Sequence, residues 1–313
     1  MVRVLLLGDL HLSTTGPPVP PACPDLESLD VDAIISIGDI IDDNADHAGD
    51  TETGVAYEKR GRDFFERLNE VGVPVFAVPG NHDPLECTER LTDGLENVRV
   101  MHRCGIDGQS QSIAPGELEE LRLVGWGCEQ FDLTPAFKYD QYPAIVPDPA
   151  NVESSEQMAA QSAATVESVI SRFLDGTLDS QEAANEFGVS KEKQDTCATE
   201  LETLASEFDA IRGLLTEETM TTVLLSHESP FNVAFDYHHS SDRVQGQLHR
   251  GSIPLKMAAV AGGPDIILSG HMHTEGRDAI ETTAGYADLY NPGSPGVAFV
   301  EIEPEAGSIQ LIE

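Results

Sequence analysis

Five short clusters of aspartate, asparagine and histidine limit the folds open to this chain more than any other feature. They are Gly8-Asp9-Leu10-His11, Gly38-Asp39-Ile40-Ile41-Asp42, Gly80-Asn81-His82-Asp83, Ser226-His227 and Gly270-His271-Met272-His273. Short apolar runs that predict strands lead into them: Val2 to Leu7, Ala33 to Ile37, Val73 to Val78, Val223 to Leu225 and Ile266 to Leu268. In an open α/β sheet, the loops at the carboxyl ends of the strands line one crevice. Residues far apart in the sequence are therefore expected to meet there.

Each cluster alone has an ordinary structural explanation. Gly-Asp after a strand favours a turn, and Gly-Asn-His-Asp suits a turn followed by a helix N-cap. Together, however, the clusters hold five of the ten histidines of the chain, which turn chemistry does not require. Imidazole nitrogens mixed with carboxylate and amide oxygens suit borderline divalent ions better than Ca²⁺ or a structural zinc. The pattern therefore predicts a two-metal site that cleaves phosphoesters.

In the order of these clusters the chain resembles the calcineurin-like metallophosphoesterase superfamily, whose pattern is Asp-x-His, Gly-Asp-x-x-Asp, Gly-Asn-His-Asp/Glu, His and Gly-His-x-His. The resemblance covers about residues 1 to 128 and 220 to 303. It implies an α/β fold, the calcineurin-like four-layer αββα sandwich. It also implies two metal sites that share Asp39, one completed by Asp9, His11 and His273 and the other by Asn81, His227 and His271. His82 would donate a proton or contact the phosphate, and Asp42 would orient it.

Physical chemistry supports these roles. Two cations about 3.5–4 Å apart can bind a phosphate oxygen and lower the pKa of a bridging water, which gives a hydroxide nucleophile near neutral pH. The leaving alkoxide needs a proton, and a histidine held by a carboxylate can donate one in that range. Asp42 or Asp83 would hold His82, but Asp83 could instead cap a helix that begins near Pro84. The expected cofactors are two divalent metal ions, with Mn²⁺ favoured over Fe and Zn²⁺.

The residue after Gly-Asp-x-x-Asp bears on the substrate. Some monoesterases of the superfamily place an arginine there to grip a terminal phosphate, whereas this chain has Asp43 followed by Asn44. We therefore expect phosphodiesters of the nucleotide or nucleic-acid class, although Arg243, Arg250 or Arg277 could supply a guanidinium from elsewhere. A phosphomonoesterase is one alternative. A non-catalytic scaffold that binds a partner through residues 129–219 is another, but an intact ligand set argues for catalysis.

Charge indicates the environment in which the protein works. Eighteen basic residues against 55 acidic ones give a formal charge of −37, spread along the whole chain. Molar salt would screen this repulsion, because the Debye length falls to about 3 Å at 1 M. The five cysteines show no Cys-x-x-Cys spacing, and no signal-peptide core or apolar run of membrane-spanning length is evident. We expect a cytoplasmic protein of an extreme halophile that does not contact membranes.

The remaining sequence predicts a core of residues 1–128 and 220–313 with a mainly helical insertion or cap at 129–219. Residues 151–219 carry 15 acidic side chains against four basic ones, so nucleic acid stays open as a substrate class but charge does not favour it. The insertion could instead bind a protein partner.

Tyr237, His238 and His239 lie in a loop that could contact substrate. His47, His102 and His249 match no pattern and are expected at the surface, and Asn291-Pro292-Gly293-Ser294 predicts a turn between strands.

Overall fold

The structure is a computed structural model, and it describes residues 1–17, 19–48, 51–107, 117–131, 133–142, 144–146, 154–216, 220–237 and 248–312. The chain divides into two compact units. The first unit contains Met1–Leu133, Gly213–Ser229 and Ala259–Glu313, and the second contains Thr134–Arg212 and Pro230–Ala258. The candidate ligands named above all belong to the first unit.

The described residues of the first unit form two mixed sheets. The first sheet has the order β12-β11-β1-β2-β3-β4. Its strands are β1 (Val2–Gly8), β2 (Ala33–Ser36), β3 (Val75–Ala77), β4 (Val98–Val100), β11 (Gly296–Glu303) and β12 (Ser308–Ile312). Strands β1 to β4 are parallel, and β11 and β12 join antiparallel. The carboxyl ends of β1, β2 and β3 thus lie at one edge.

The second sheet has the order β5-β6-β7-β8-β10-β9. Its strands are β5 (Cys104–Asp107), β6 (Leu121–Trp126), β7 (Thr221–Ser226), β8 (Ile266–Ser269), β9 (Glu275–Thr282) and β10 (Gly285–Pro292). Strands β6, β7, β8 and β10 run parallel, whereas β5 and β9 are antiparallel edges. All five strands predicted from the apolar runs are confirmed, with ends shifted by at most two residues.

The core explains why these strands are apolar throughout. Val4 and Leu6 of β1 pack in one cluster with Val223 and Leu225 of β7, so the two sheets share an apolar layer. Their neighbours alternate to the other face, where they pack against α1 (Glu52–Glu70) and α2 (Leu85–Thr92). On the second sheet, Thr283 after β9 donates its N–H to Val260 of α6 (Ile253–Gly262). Strands buried on both faces need continuous apolar runs, and the α/β sandwich prediction is confirmed.

The second unit contains the helices of the mainly helical segment, α3 (Ser155–Leu174), α4 (Ser180–Glu186) and most of α5 (Gln194–Leu215). Asp179 begins α4 with a capping box, since its side chain accepts from the N–H of Glu182 while Glu182 bonds back. Val166, Phe187 and Leu201 belong to an apolar core within this unit. Among the described helices, none combines the length and apolar character that crossing a membrane requires.

Two histidines expected at the surface have side chains that are shielded from solvent. His249 of the second unit keeps 6% of its surface, and the side chain of His102 keeps 5%. The prediction for both was wrong because sequence spacing alone gives no sign of their partners. His102 accepts the N–H of Gly127, and His249 contacts Asp236, which is fully buried.

Candidate metal centre

The five clusters meet at the carboxyl ends of β1, β2, β3, β7 and β8. Hydrogen bonds between the loops continue the strand pairing past the strand ends. The N–H of Asp9 donates to the carbonyl of Gly38 over 3.0 Å, and the N–H of His11 donates to that of Asp39 over 3.0 Å. On the other sheet, Gly270 donates to the carbonyl of His227 over 2.9 Å. The ligand loops are therefore fixed by backbone contacts as well as by their side chains.

One group of metal-binding atoms comes from Asp9, His11, Asp39 and His273, and these atoms lie within 4.8 Å of one another. The Nε2 atoms of His11 and His273 are 2.9 Å apart. His273 Nε2 lies 3.7 Å from Asp9 Oδ1, and His11 Nε2 lies 3.8 Å from Asp39 Oδ2. This is the first set that the sequence predicts, brought together from loops more than 200 residues apart.

A second group joins Asp39, His227 and His271, again within 4.8 Å. His227 Nε2 lies 3.0 Å from the Oδ1 atom of Asn81 and 3.4 Å from Asp39 Oδ2. The structure therefore places all seven predicted ligand residues in two adjacent groups. Asp39 is the member that both groups share.

The tautomer of His227 follows from its hydrogen bonds. Its Nδ1 atom lies 2.8 Å from the carbonyl oxygen of Ile37, so Nδ1 carries a hydrogen and donates it. The other nitrogen, Nε2, faces the oxygens of Asn81 and Asp39, which accept rather than donate. A cation on Nε2, either a proton or a metal ion, satisfies this arrangement.

Asp39 shows the same need for a cation. Its Oδ2 atom is buried and has no hydrogen-bond partner among the described residues. Burial would raise the pKa of Asp39, but the charge of nearby His227 holds it well below its usual range. Asp9 is also fully buried, and burial raises its pKa to about 7 although His227 acts in the opposite direction. Two buried carboxylates with an unsatisfied oxygen fit divalent cations, which would relieve both the repulsion and the missing contact.

The backbone of the ligand loops is strained. Among the described residues, seven other than glycine have positive φ, and five of these are candidate ligands: Asp9, His11, Asp39, His271 and His273. Their φ values lie between 45° and 67°. Left-handed backbone is costly for residues with a Cβ, and it persists where the surrounding structure and function require it. The strain is thus concentrated where the predicted ligands lie.

Two glycines let the ligand loops approach each other. A Cβ added to Gly38, which has φ +92°, would lie 2.6 Å from the Cα of Gly80. A Cβ on Gly80 would lie 2.2 Å from Asp39 Oδ1. Any side chain at either position would separate the loops after β2 and β3, and Asn81 would move away from Asp39.

His82 and Asp42 stand beside the first group. His82 Nδ1 lies 3.5 Å from Asp42 Oδ1, and His11 Nδ1 lies 3.4 Å from the same oxygen. The backbone N–H of His82 donates to Asp39 Oδ1 over 2.8 Å, which fixes the loop relative to the shared ligand. The predicted pair is therefore brought together, and Asp42 is shared between two imidazoles rather than dedicated to one.

Comparison with known proteins agrees with this geometry. Residues 2–145 match the family model of the calcineurin-like phosphoesterases. This match identifies a calcineurin-like phosphoesterase domain in the chain. The chain is therefore a hydrolase of phosphoester bonds, from a family that depends on metal ions and typically holds two of them. A search of curated proteins gives no match.

Two solved structures from Thermus thermophilus are similar to the phosphoesterase at low identity. The protein TT1561 is 13% identical with a TM-score of 0.45, over 100% of this chain and 98% of its own. The sulfate thiohydrolase SoxB in complex with glycerol is 15% identical with a TM-score of 0.34, over 89% of this chain and 38% of its own. At these values the similarity carries no information on activity.

Asp83 has a role in the phosphoesterase that neither sequence interpretation named. Its Oδ1 atom accepts the N–H groups of Asp39 and Gly80, each over 2.9 Å, and Oδ2 accepts that of Ile40 over 2.8 Å. It neither orients His82 nor caps α2, whose N-cap is Pro84. Asp83 instead binds the loops after β2 and β3 together and positions the shared ligand Asp39.

Asp43 is buried in the phosphoesterase rather than turned toward a substrate. Its side chain keeps 1% of its surface and accepts the N–H of Asn44 over 2.9 Å. This position therefore supplies neither a guanidinium nor an exposed carboxylate to a substrate. Arg250 binds Asp140, and Arg277 binds the carbonyl of Ile309. Arg243, His238 and His239 lie outside the described residues.

Supporting residues missed by the sequence interpretation come from the end of β10 and from the turn that follows it. Asn291 donates through Nδ2 to the carbonyl of Gly270 over 2.8 Å and to Ser229 Oγ over 3.2 Å. Ser294 donates to the carbonyl of Asp9 over 2.7 Å. The predicted turn between β10 and β11 follows Pro292, the last residue of β10, and the segment also connects the candidate ligand loops of the two sheets.

Proposed function

We propose that this phosphoesterase hydrolyses phosphodiesters at a dinuclear centre, with Mn²⁺ as the favoured metal. Asp9, His11, Asp39 and His273 would hold one ion, and Asp39, Asn81, His227 and His271 the other. The observation that carries the proposal is Asp39 Oδ2, which is buried, lacks a hydrogen-bond partner among the described residues and belongs to both groups. When bound, two such ions would supply charge for the phosphate oxygens and would lower the pKa of a shared water, which would make a nucleophile available near neutral pH.

His82 would protonate the leaving oxygen. Its Nδ1 atom faces Asp42 at 3.5 Å, which leaves Nε2 for the substrate. Asp42 favours the ring orientation, and the bond from the N–H of His82 to Asp39 Oδ1 holds the donor beside the candidate metal ligands. Asp83, through its three amide contacts, keeps both loops in register.

The preference for a diester follows from the absence of an arginine at the position after Asp42. A phosphate monoester carries a second negative charge, which an arginine fork neutralises in some relatives. Here the buried Asp43 takes that place, and Arg250 and Arg277 are bonded to other groups. A diester carries one charge less and does not require the fork.

The test compares bis-p-nitrophenyl phosphate with p-nitrophenyl phosphate in molar KCl, after removal of metal by chelation and again after addition of Mn²⁺. We expect turnover only with metal, bound at two ions per chain, and a higher kcat/KM for the diester. Metal-loaded protein that hydrolyses neither compound would refute the hydrolytic site, and a preference for the monoester would refute the argument from Asp43. Asp30→Asn is a suitable control variant, because the side chain of Asp30 is 96% exposed.

A further inference from the structure

A cavity of about 890 Å³ lies beside the loops that carry Asp42 and His82. Ala45 and Ala48 line it a few residues after Asp42, and Pro84 lines it two residues after His82. The cavity therefore adjoins the loop that carries the proposed proton donor.

The lining of this cavity offers apolar surface. Val55 in the first turn of α1, Phe131 and the loop alanines contribute to it. Val55 is 55% exposed, one of the few large apolar side chains so exposed among the described residues. An exposed apolar side chain at a concave surface is a suitable contact for the carbon skeleton of a ligand.

The charged side chains of the lining are mainly acidic. They are Glu58, Glu86 and Glu129, with Arg90 as the one guanidinium among the described lining residues. Arg90 is already bonded through Nε to Glu58 over 3.0 Å, and Glu129 binds Arg103 over 3.0 Å outside the lining. An anionic group in the cavity would thus meet Glu86 and find the guanidinium already paired.

We propose, on the basis of the diesterase function above, that this cavity receives the leaving alcohol of the substrate. The alcohol that it accepts is uncharged or cationic and carries apolar surface. Because His82 gives its proton to the leaving oxygen, the leaving group must lie on the side of His82, and Pro84, two residues after His82, lines the cavity. Polynucleotides leave as strands that carry further phosphates, so the acidic lining selects small diesters instead.

The substrates for the test are three methyl aryl phosphates, each of which releases a 4-nitrophenol that carries hydrogen, carboxylate or trimethylammonium at its 3-position. They are compared in the wild type, Val55→Lys and Val55→Glu, with Leu311→Lys and Leu311→Glu as controls, because Leu311 is 40% exposed and lies outside the lining. Salt is kept at the lowest KCl that preserves the circular dichroism spectrum, since screening at 1 M shortens the Debye length to about 3 Å.

For the wild type we expect the KM of the carboxylate substrate to be roughly fivefold or more above the KM of the trimethylammonium substrate. This is the size of effect expected when one unit charge of a ligand interacts with a charge near a protein surface. Val55→Lys adds a positive charge and should lower the ratio of the KM of the carboxylate substrate to that of the trimethylammonium substrate, and Val55→Glu should raise this ratio. Both Leu311 variants should show the ratio of the wild type. Val55→Trp should also raise KM for all three substrates in molar KCl, unlike Leu311→Trp.

Equal KM values for the three substrates, with Val55 variants that behave like Leu311 variants, would overturn the assignment of the cavity. Failure of the underlying diesterase function looks different, because then the metal-loaded wild type turns over none of the three substrates.

Discussion

Each unit contains a buried histidine that faces a buried carboxylate. The two histidines differ in whether the protein supplies hydrogen-bond partners for all the polar atoms of the pair. His249 of the second unit contacts Asp236 through Nδ1 over 2.5 Å, and its Nε2 lies 3.2 Å from the hydroxyl of Tyr237. The second oxygen of Asp236 accepts the N–H groups of Asn232 and Gly251 over 2.8 and 3.1 Å. Every polar atom of this pair has a partner from the protein itself.

His227 differs at one nitrogen. Its Nδ1 is satisfied by Ile37, but Nε2 faces two oxygens, and Asp39 Oδ2 has no hydrogen-bond partner among the described residues. Asp39 also has φ +53°, whereas neither Asp236 nor His249 is among the residues with positive φ. A buried polar cluster that satisfies itself stabilises a fold, and one that is strained and incomplete fits a cation. The number of hydrogen-bond partners therefore distinguishes a cluster that stabilises the fold from one that fits a cation, whereas burial alone does not.

The largest expected effect comes from removing the shared charge. Asp39→Asn should abolish binding of both metal ions and lower kcat/KM for bis-p-nitrophenyl phosphate by more than about 10³-fold, since the metals supply most of the electrostatic stabilisation. The variant should stay folded, because it removes a charge buried beside Asp9 and Asp83. Metal content by mass spectrometry and the circular dichroism spectrum check both points, with Asp30→Asn as control. Full metal content in the variant would remove Asp39 as the shared ligand.

The matching change in the second unit should affect stability instead. Asp236→Ala leaves His249 and two backbone amides buried without an acceptor, which should cost about 3–5 kcal/mol of unfolding free energy. Metal content under native conditions should not change. Asp209→Ala in the same unit is the control, because its side chain is 64% exposed and its ion pair with Arg212 should be worth less than about 1 kcal/mol. Urea unfolding in molar KCl measures the difference. Loss of metal from a folded Asp236→Ala protein would contradict the contrast between the two histidines.

The positions of the candidate ligands and the sheets could be predicted because both leave a pattern in neighbouring residues of the sequence. Each candidate ligand cluster comes soon after an apolar strand, as Asp9 follows β1 and Asp39 follows β2. The residue types of the clusters and their spacing from the strands are therefore visible in the sequence. The contacts that fix the ligands could not be predicted. Ser294 reaches Asp9 across 285 positions and Asp83 reaches Asp39 across 44, and neither pairing leaves a periodic signal. The burial of His249 was missed for the same reason, because its partner Asp236 lies in a loop, where no periodic pattern indicates the pairing.

A smaller and substrate-dependent effect is expected for His82. His82→Ala should lower kcat by about 10²-fold for a diester with an alkyl leaving group, which needs a proton as it departs. A p-nitrophenyl ester should lose much less, because its phenolate leaves without one. Comparing both substrates at equal metal occupancy separates proton donation from a general disturbance of the site. Equal losses for the two leaving groups would argue against His82 as the proton donor.

The smallest expected effect tests whether the turn after β10 supports the incomplete cluster. Ser294→Ala removes the hydrogen bond to the carbonyl of Asp9, and we expect metal affinity to fall about tenfold, as for other partners that orient a ligand. The matched control is Thr203→Ala, which removes a hydroxyl-to-carbonyl bond in α5. Competition with a chelator of known affinity measures the change. Because Asp9 is held in left-handed backbone with φ 49°, loss of this bond frees a strained ligand to relax away from His273. An affinity equal to that of the control would show that the strain at Asp9 is maintained by the loops alone.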